Sequence, residues 1–367
     1  MISQKKHILL VTSEFPPQPG GIGNHAYHLA KHLRNNDYEV NVIADQRSLS
    51  GKEEASFDNL LSFRVHRVDT RKLRMFMYVK RIMLLFKNIK NSDVVFASGK
   101  FSLWIVAFAS LFYKRHFIAV IHGSEVNFTN NRLRIAVNFS LKRFLILVAV
   151  SNYTKNLVKD IHPHIVVIPN GIGDSFANSP TVKLDLKGRP KLITVGNVTN
   201  RKGQLNVIKH FPELLKIYPD LHYHCVGLPT QKDDFLAIAT SLKVHDNITF
   251  HGHVNNEELK KFLMSSDIFV MLSSTTSTGD VEGFGIALLE GNYFGLPCIG
   301  AKGCGIEDAI EDQKTGRLIN HTNTDAFKSA LEDILLNYDS YKFNAKAWSS
   351  KHSWQLIVKQ YISLLDL

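Results

Sequence analysis

His7-Ile-Leu-Leu-Val11, followed after two residues by Glu14-Phe-Pro-Pro-Gln-Pro-Gly-Gly-Ile-Gly23, is a short apolar run that ends in a turn of prolines and glycines. Ala26, Leu29, Ala30 and Leu33 then recur at helical spacing, and a second apolar run occupies 40–44. A strand, a glycine turn, a helix and another strand make a βαβ unit. Further runs at 94–97, 118–121, 145–150 and 166–168 are continuous rather than alternating. That pattern predicts strands buried on both faces, hence a parallel sheet covered by helices.

Pro180, Gly188 and Pro190, among Ser, Asn and Lys, interrupt the rhythm over 174–190, which reads as a linker. The rhythm restarts with apolar runs at 192–195, 223–226, 248–250, 268–272 and 297–300. A chain of 367 residues exceeds what one core usually serves, roughly 250 to 300 residues. The expectation is an α/β protein of two Rossmann-like, doubly wound parallel-sheet domains, 1–173 and 191–349, facing across a cleft. Ligands of such sheets sit beyond the C-terminal strand ends, so the glycine turns there are where chemistry is expected.

Composition excludes a disordered, collagenous or fibrous chain: 44% of residues are hydrophobic and 21% charged. Cys225, Cys298 and Cys304 have neither disulfide-framework nor metal-site spacing, which suits a reducing compartment. The run at 8–11 is too short for a signal-peptide core and that at 101–113 too short to span a bilayer, so a cytoplasmic location is expected. Net charge is +11, and it is unevenly placed. Residues 1–170 carry 24 Lys+Arg against 11 Asp+Glu, a net +13, whereas 171–367 carry 20 against 22, a net −2. The basic half suggests an anionic partner.

Three constellations carry candidate chemistry. Asp280-Val-Glu-Gly-Phe-Gly-Ile-Ala-Leu-Leu-Glu290 places one carboxylate before a glycine turn and a second about two helical turns on. Its glycines admit a ligand to the backbone, and free N–H groups at the helix start favour an anion or a hydroxyl array. Gly196-Asn-Val-Thr-Asn-Arg-Lys-Gly203 follows a strand and sets Arg201 and Lys202 where a diphosphate would lie, though it is not a Walker A loop. Ile121-His-Gly-Ser-Glu125 puts His122 at a strand end, able to polarise or orient a reacting group. Each has a plainer alternative: surface carboxylates, a basic loop, a structural histidine. Neither a HExxH motif nor a Cys/His cluster appears, so no metal is expected.

In this order and at these intervals the features resemble retaining glycosyltransferase family 4, whose fold is called GT-B. The resemblance spans Pro16 to Gly21, His122-Gly123, Val150-Ser-Asn152, Ile168-Pro-Asn-Gly171, Gly196 with Arg201-Lys-Gly203, Glu282 to Glu290, Gly303-Cys-Gly-Ile-Glu-Asp-Ala-Ile310 and Lys314-Thr-Gly316. It implies a hexose transferred, without a metal, from a GDP- or UDP-linked nucleotide-diphospho-sugar to a lipid-linked or glycan acceptor in bacterial surface glycan synthesis. Glu290 would bind the ribose; Glu282 and the amides of Gly283, Phe284, Gly285 and Ile286 would hold the hexose and distal phosphate. Arg201 and Lys202 would neutralise the departing diphosphate, with Gly196 and Val254 also in the donor site. Gly20 and Gly21 would close over the phosphates, His122 would lie beside the transferred sugar, and a C-terminal helix at about 350–367 would pack back on the first domain. Two departures stand out: Asn197 replaces an arginine common in relatives, and Gly173 an aspartate. The loop 273–280 looks like a variant found in some transferases that use GDP-mannose.

In this fold the N-terminal domain takes the acceptor, so its basic charge suggests an anionic or membrane-embedded one. Residues 71–90, with seven cations among large apolar residues, suit either a helix in a membrane interface on the inner face of the cytoplasmic membrane or an ordinary surface helix. Rival readings are a soluble sugar-phosphate acceptor, a nucleotide-sugar epimerase and, from another class, a basic nucleic-acid-binding protein. Without a recognised nucleic-acid module, no nucleic-acid partner is expected.

Overall fold

The computed structural model of the chain describes residues 5–69, 74–176 and 182–365. Contacts divide the chain into two units, one of Met1–Gly171 with Trp354–Leu367, the other of Ile172–Ser353.

The first unit holds strands β1 (His7–Thr12), β2 (Glu39–Asp45), β3 (Arg64–Val68), β4 (Val94–Ser98), β5 (His116–Ile121), β6 (Ile146–Ala149) and β7 (Ile165–Val167). They form one sheet in the order β3-β2-β1-β4-β5-β6-β7, each pair parallel. Strand order therefore reverses between β1 and β4, the place where such a sheet opens for a ligand. The helices Arg74–Ile89, Lys100–Ala109 and Asn131–Leu141 bury Leu85, Ile89, Leu103, Val106, Val137 and Leu141 in one core with the sheet. On the helix Gly21–Asn35, Ala26, Leu29, Ala30 and Leu33 are all buried, as the spacing predicts. The C-terminal helix Trp354–Ile362 belongs to this unit and packs beside that helix. Its Trp354 ring stacks on His28 and His32 at 5.6 and 6.1 Å and closes over Gly171.

The second unit holds β8 (Lys191–Val195), β9 (His222–Val226), β10 (Ile248–Gly252), β11 (Ile268–Met271), β12 (Cys298–Ala301) and β13 (Gly316–Ile319). Their order is β10-β9-β8-β11-β12-β13, again all parallel, with the reversal between β8 and β11. The stretch read as a linker is packed where it is described: Leu184 N–H donates to Ser265 Oγ at 2.7 Å and Arg189 N–H to Asp220 O at 2.7 Å. Residues 177–181 of it, Pro180 included, lie outside the described residues.

Arg71, Lys72 and Leu73, the start of the suspected membrane helix, also lie outside them. Further along that helix Arg81 is buried, bonded to Asp45 and stacked over Phe101, and Lys80 pairs with Asp69. The count of seven cations thus overstates the charge it turns outward. Among the described residues no helix is long and apolar enough to cross a membrane.

Candidate active site

The reversal in the second sheet brings two of the three constellations together. Gly196–Gly203 leaves β8 and the loop 272–285 leaves β11, and these strands are neighbours. Lys202 Nζ lies 2.7 Å and Arg201 Nη1 2.5 Å from the same oxygen, Glu282 Oε2, and Arg201 Nε lies 3.2 Å from Asp280. Burial pushes the Glu282 carboxyl up, but the charges and hydrogen bonds of Lys202 and Arg201 outweigh it and hold the group below the usual carboxylate range. Glu282 is 9% exposed while Arg201 and Asp280 stay open to solvent, so the network is a preformed set of charges around one buried carboxylate.

Backbone geometry holds these side chains in place. Gly203 has φ +80° and ends the loop; a Cβ there would lie 2.0 Å from Leu272 O at the end of β11. Only glycine lets the cationic loop lie this close to the next strand. Gly305, from the loop after β12, donates its N–H to Glu282 O at 2.8 Å and approaches Gly283 O so closely that a Cβ would sit 1.9 Å away. Gly285 caps the helix Ile286–Tyr293, leaving the first-turn amides at the mouth of the motif. Glu290 is half-buried on that helix, its carboxyl pushed up to about 7 by burial against the opposing charge of Lys202. Val254 follows β10, two strands from β8, and so stands apart from this cluster.

Gly20, Gly21 and His122 belong to the first unit and its own reversal. Gly20 and Gly21 open the helix after β1. His122 follows β5, shares a hydrogen bond with Ser98 at 3.0 Å and meets the His25 ring edge-on at 5.0 Å. Both nitrogens of His25 are engaged, with Asn170 at 2.7 Å and the Tyr361 hydroxyl at 3.2 Å. Burial pushes His25 down to about 4; it also lowers His122 well below its usual range, with His25 adding to the effect. At neutral pH both rings are uncharged, so His122 can orient a hydroxyl but is no acid.

Two participants carried no assigned role in the sequence reading. Asp280 shares Arg201 with Glu282. Glu125, 1% exposed, takes the His122 backbone N–H on Oε1, while its Oε2 has no hydrogen-bond partner among the described residues. Burial pushes its carboxyl up to about 7. A carboxylate three residues beyond a strand-end histidine was the available signal, since that spacing lets it clamp its own turn.

Two family models match in succession: Glycosyltransferase Family 4 over residues 19–176 and Glycosyl transferases group 1 over residues 178–348. The chain belongs to these glycosyltransferases. A GDP-mannose-dependent alpha-(1-6)-phosphatidylinositol monomannoside mannosyltransferase of Mycolicibacterium smegmatis is 27% identical over 347 residues, covering 89% of each chain. Among solved structures, a glycosyltransferase from Rickettsia africae superposes with a TM-score of 0.78 at 20% identity, over 99% of this chain and 98% of that one. Anabaena HepE in complex with UDP and glucose gives 0.76 at 18% identity, over 98% and 99%. The glycosyltransferase therefore has the GT-B fold, with two parallel-sheet α/β domains.

Proposed function

We propose that this glycosyltransferase moves a hexose from a nucleotide-diphospho-sugar to a lipid-linked or glycan acceptor in surface glycan synthesis, with retention at the anomeric carbon. The observation that carries the reading is the Arg201-Lys202-Glu282 cluster at the strand reversal of the second sheet. Two cations there meet a donor's diphosphate, and Glu282, released from them, turns to the hexose hydroxyls. The C1–O bond to the diphosphate breaks, a new C1–O bond forms to the acceptor hydroxyl on the same face, and the departing phosphate oxygen takes the hydroxyl proton. No enzymic nucleophile is required, unlike a retaining glycosidase with its pair of carboxylates. The protein's work is positioning and charge stabilisation, for which Arg201 and Lys202 suffice without a metal.

GDP-mannose is the favoured donor and a membrane lipid the favoured bearer of the acceptor. Both choices follow the Mycolicibacterium relative, and the long loop 273–280 agrees with the first. Thermal melts with GDP, UDP and ADP sugars identify the donor, because a ligand of the folded state raises its apparent stability. The product made with that donor on a membrane extract, in EDTA, is expected to keep the donor's anomeric configuration. An inverted product sinks the retaining assignment; loss of product in EDTA, restored by a divalent cation, sinks the metal-free one.

A further inference from the structure

Where the first unit would meet a membrane is suggested by a corner that none of the motifs includes. Beyond the helix Lys100–Ala109, Leu111 and Phe112 are 54% and 62% exposed, and Phe108 before them is 48% exposed. Phe108 and Phe112 meet at 5.3 Å, and Phe86 lies 6.3 and 5.8 Å from them, so the rings form one block. Two residues further on, Lys114 and Arg115 turn into a hollow of about 420 Å³ at the N-terminal ends of β1, β4 and β5. Lys5 and Lys6 also line it, and Asp93 is its one carboxylate. Asp93 already accepts the His7 N–H at 2.8 Å. The Arg115 guanidinium is fixed by bonds to Lys90 O at 2.8 Å and Ile89 O at 3.3 Å.

Within the hollow the cations outnumber the carboxylates: Lys114 and Arg115 face Asp93 alone, while Lys5 pairs with Asp37 at 3.4 Å and the Lys6 ammonium donates to Leu365 O at 2.6 Å. A basic hollow beside exposed aromatic and aliphatic side chains matches the two layers of a bilayer surface, phosphates outside and acyl boundary beneath. A nucleic acid would leave Leu111 and the outward ring faces without a partner.

We infer that this corner docks on an anionic phospholipid surface, a lipid phosphate entering the hollow while Phe108, Leu111 and Phe112 enter the interfacial layer. This deepens the lipid-acceptor reading by naming an anchor separate from the catalytic groups. The six residues of β5 set the hollow at the opposite end of the strand from His122, roughly 20 Å away.

The test is flotation of the full chain with vesicles of phosphatidylcholine alone and of phosphatidylcholine mixed with phosphatidylglycerol. Wild type is expected to float with the mixed vesicles only, and less so as salt rises. Lys5→Glu with Lys114→Glu, and separately Phe108→Ser with Phe112→Ser, should each weaken the partition about tenfold or more. A Met83→Ser variant on the helix Arg74–Ile89 should float like wild type. Equal flotation with neutral vesicles overturns the inference, as does full flotation by both double variants when their melting temperatures are unchanged. Thermal stabilisation by inorganic phosphate without flotation reassigns the hollow to a soluble anion and overturns it too, as does tight binding of duplex DNA without flotation. The proposed reaction fails differently: no nucleotide-sugar would then raise the melting temperature, whatever the vesicles do.

Discussion

Lys202 and Arg201 are already paired, sharing one oxygen of Glu282 while Asp280 takes the Arg201 Nε. A diphosphate must take over their charge, so removing either side of the exchange should hurt turnover more than folding. Lys202→Ala and Glu282→Ala are each expected to lower kcat at saturating donor at least ~100-fold, with the circular dichroism spectrum unchanged. Near wild-type turnover in both would refute the role. Glu290 makes a second prediction with a definite sign. Its carboxyl sits at about 7, and a carboxylate accepts hydrogen bonds from ribose hydroxyls better than the protonated form. Donor affinity should therefore rise as pH passes upward through about 7, and Glu290→Gln should flatten that dependence, as titration calorimetry across the range can read. At this scale much of the second-unit site was legible, because Arg201, Lys202 and Glu282 lie in short glycine-flanked stretches. Asp280's hold on Arg201 and Asn170's on His25 were not, since those partners are 79 and 145 positions apart and meet only through the fold.

The elements follow the apolar runs closely, with two exceptions that share a cause. β3 and β13 are edge strands of Arg-Val-His-Arg-Val and Gly-Arg-Leu-Ile, partly exposed and interrupted by arginine, so neither presents a continuous apolar run. Interior strands read easily because both their faces are covered. The packing of Trp354–Ile362 on Gly21–Asn35 gives a prediction at this level. Trp354 is 1% exposed, with its ring against three histidines and Gly171. Trp354→Ala should cost about 3–5 kcal/mol, read as an earlier first transition in urea unfolding. A shift much below 1 kcal/mol would mean that this helix is not part of the unit's core.

At the scale of the whole molecule, charge and connectivity both divide the chain unevenly. The +13 of residues 1–170 belongs entirely to the first unit, so salt should weaken contact with an anionic surface far more than it weakens donor binding at a few placed cations. Connectivity is the other asymmetry: the chain leaves the first unit after Gly171 and returns at Trp354, and Ile172 pairs with Ser353 where those two crossings occur. A fragment of residues 1–171 should consequently be poorly soluble, and a peptide of residues 354–367 added to it should raise its melting temperature; no response to the peptide would refute this. On the ribosome the same connectivity inverts the usual order of maturation. The first 171 residues emerge first, yet the segment from Trp354 that completes their unit is made only after the whole of the second unit, residues 172–353, has been synthesised. Throughout that interval the seat of Trp354, built of His25, His28, His32 and Gly171, stays open on the nascent chain, so a frameshift just before Trp354 would release a first domain without its closing helix.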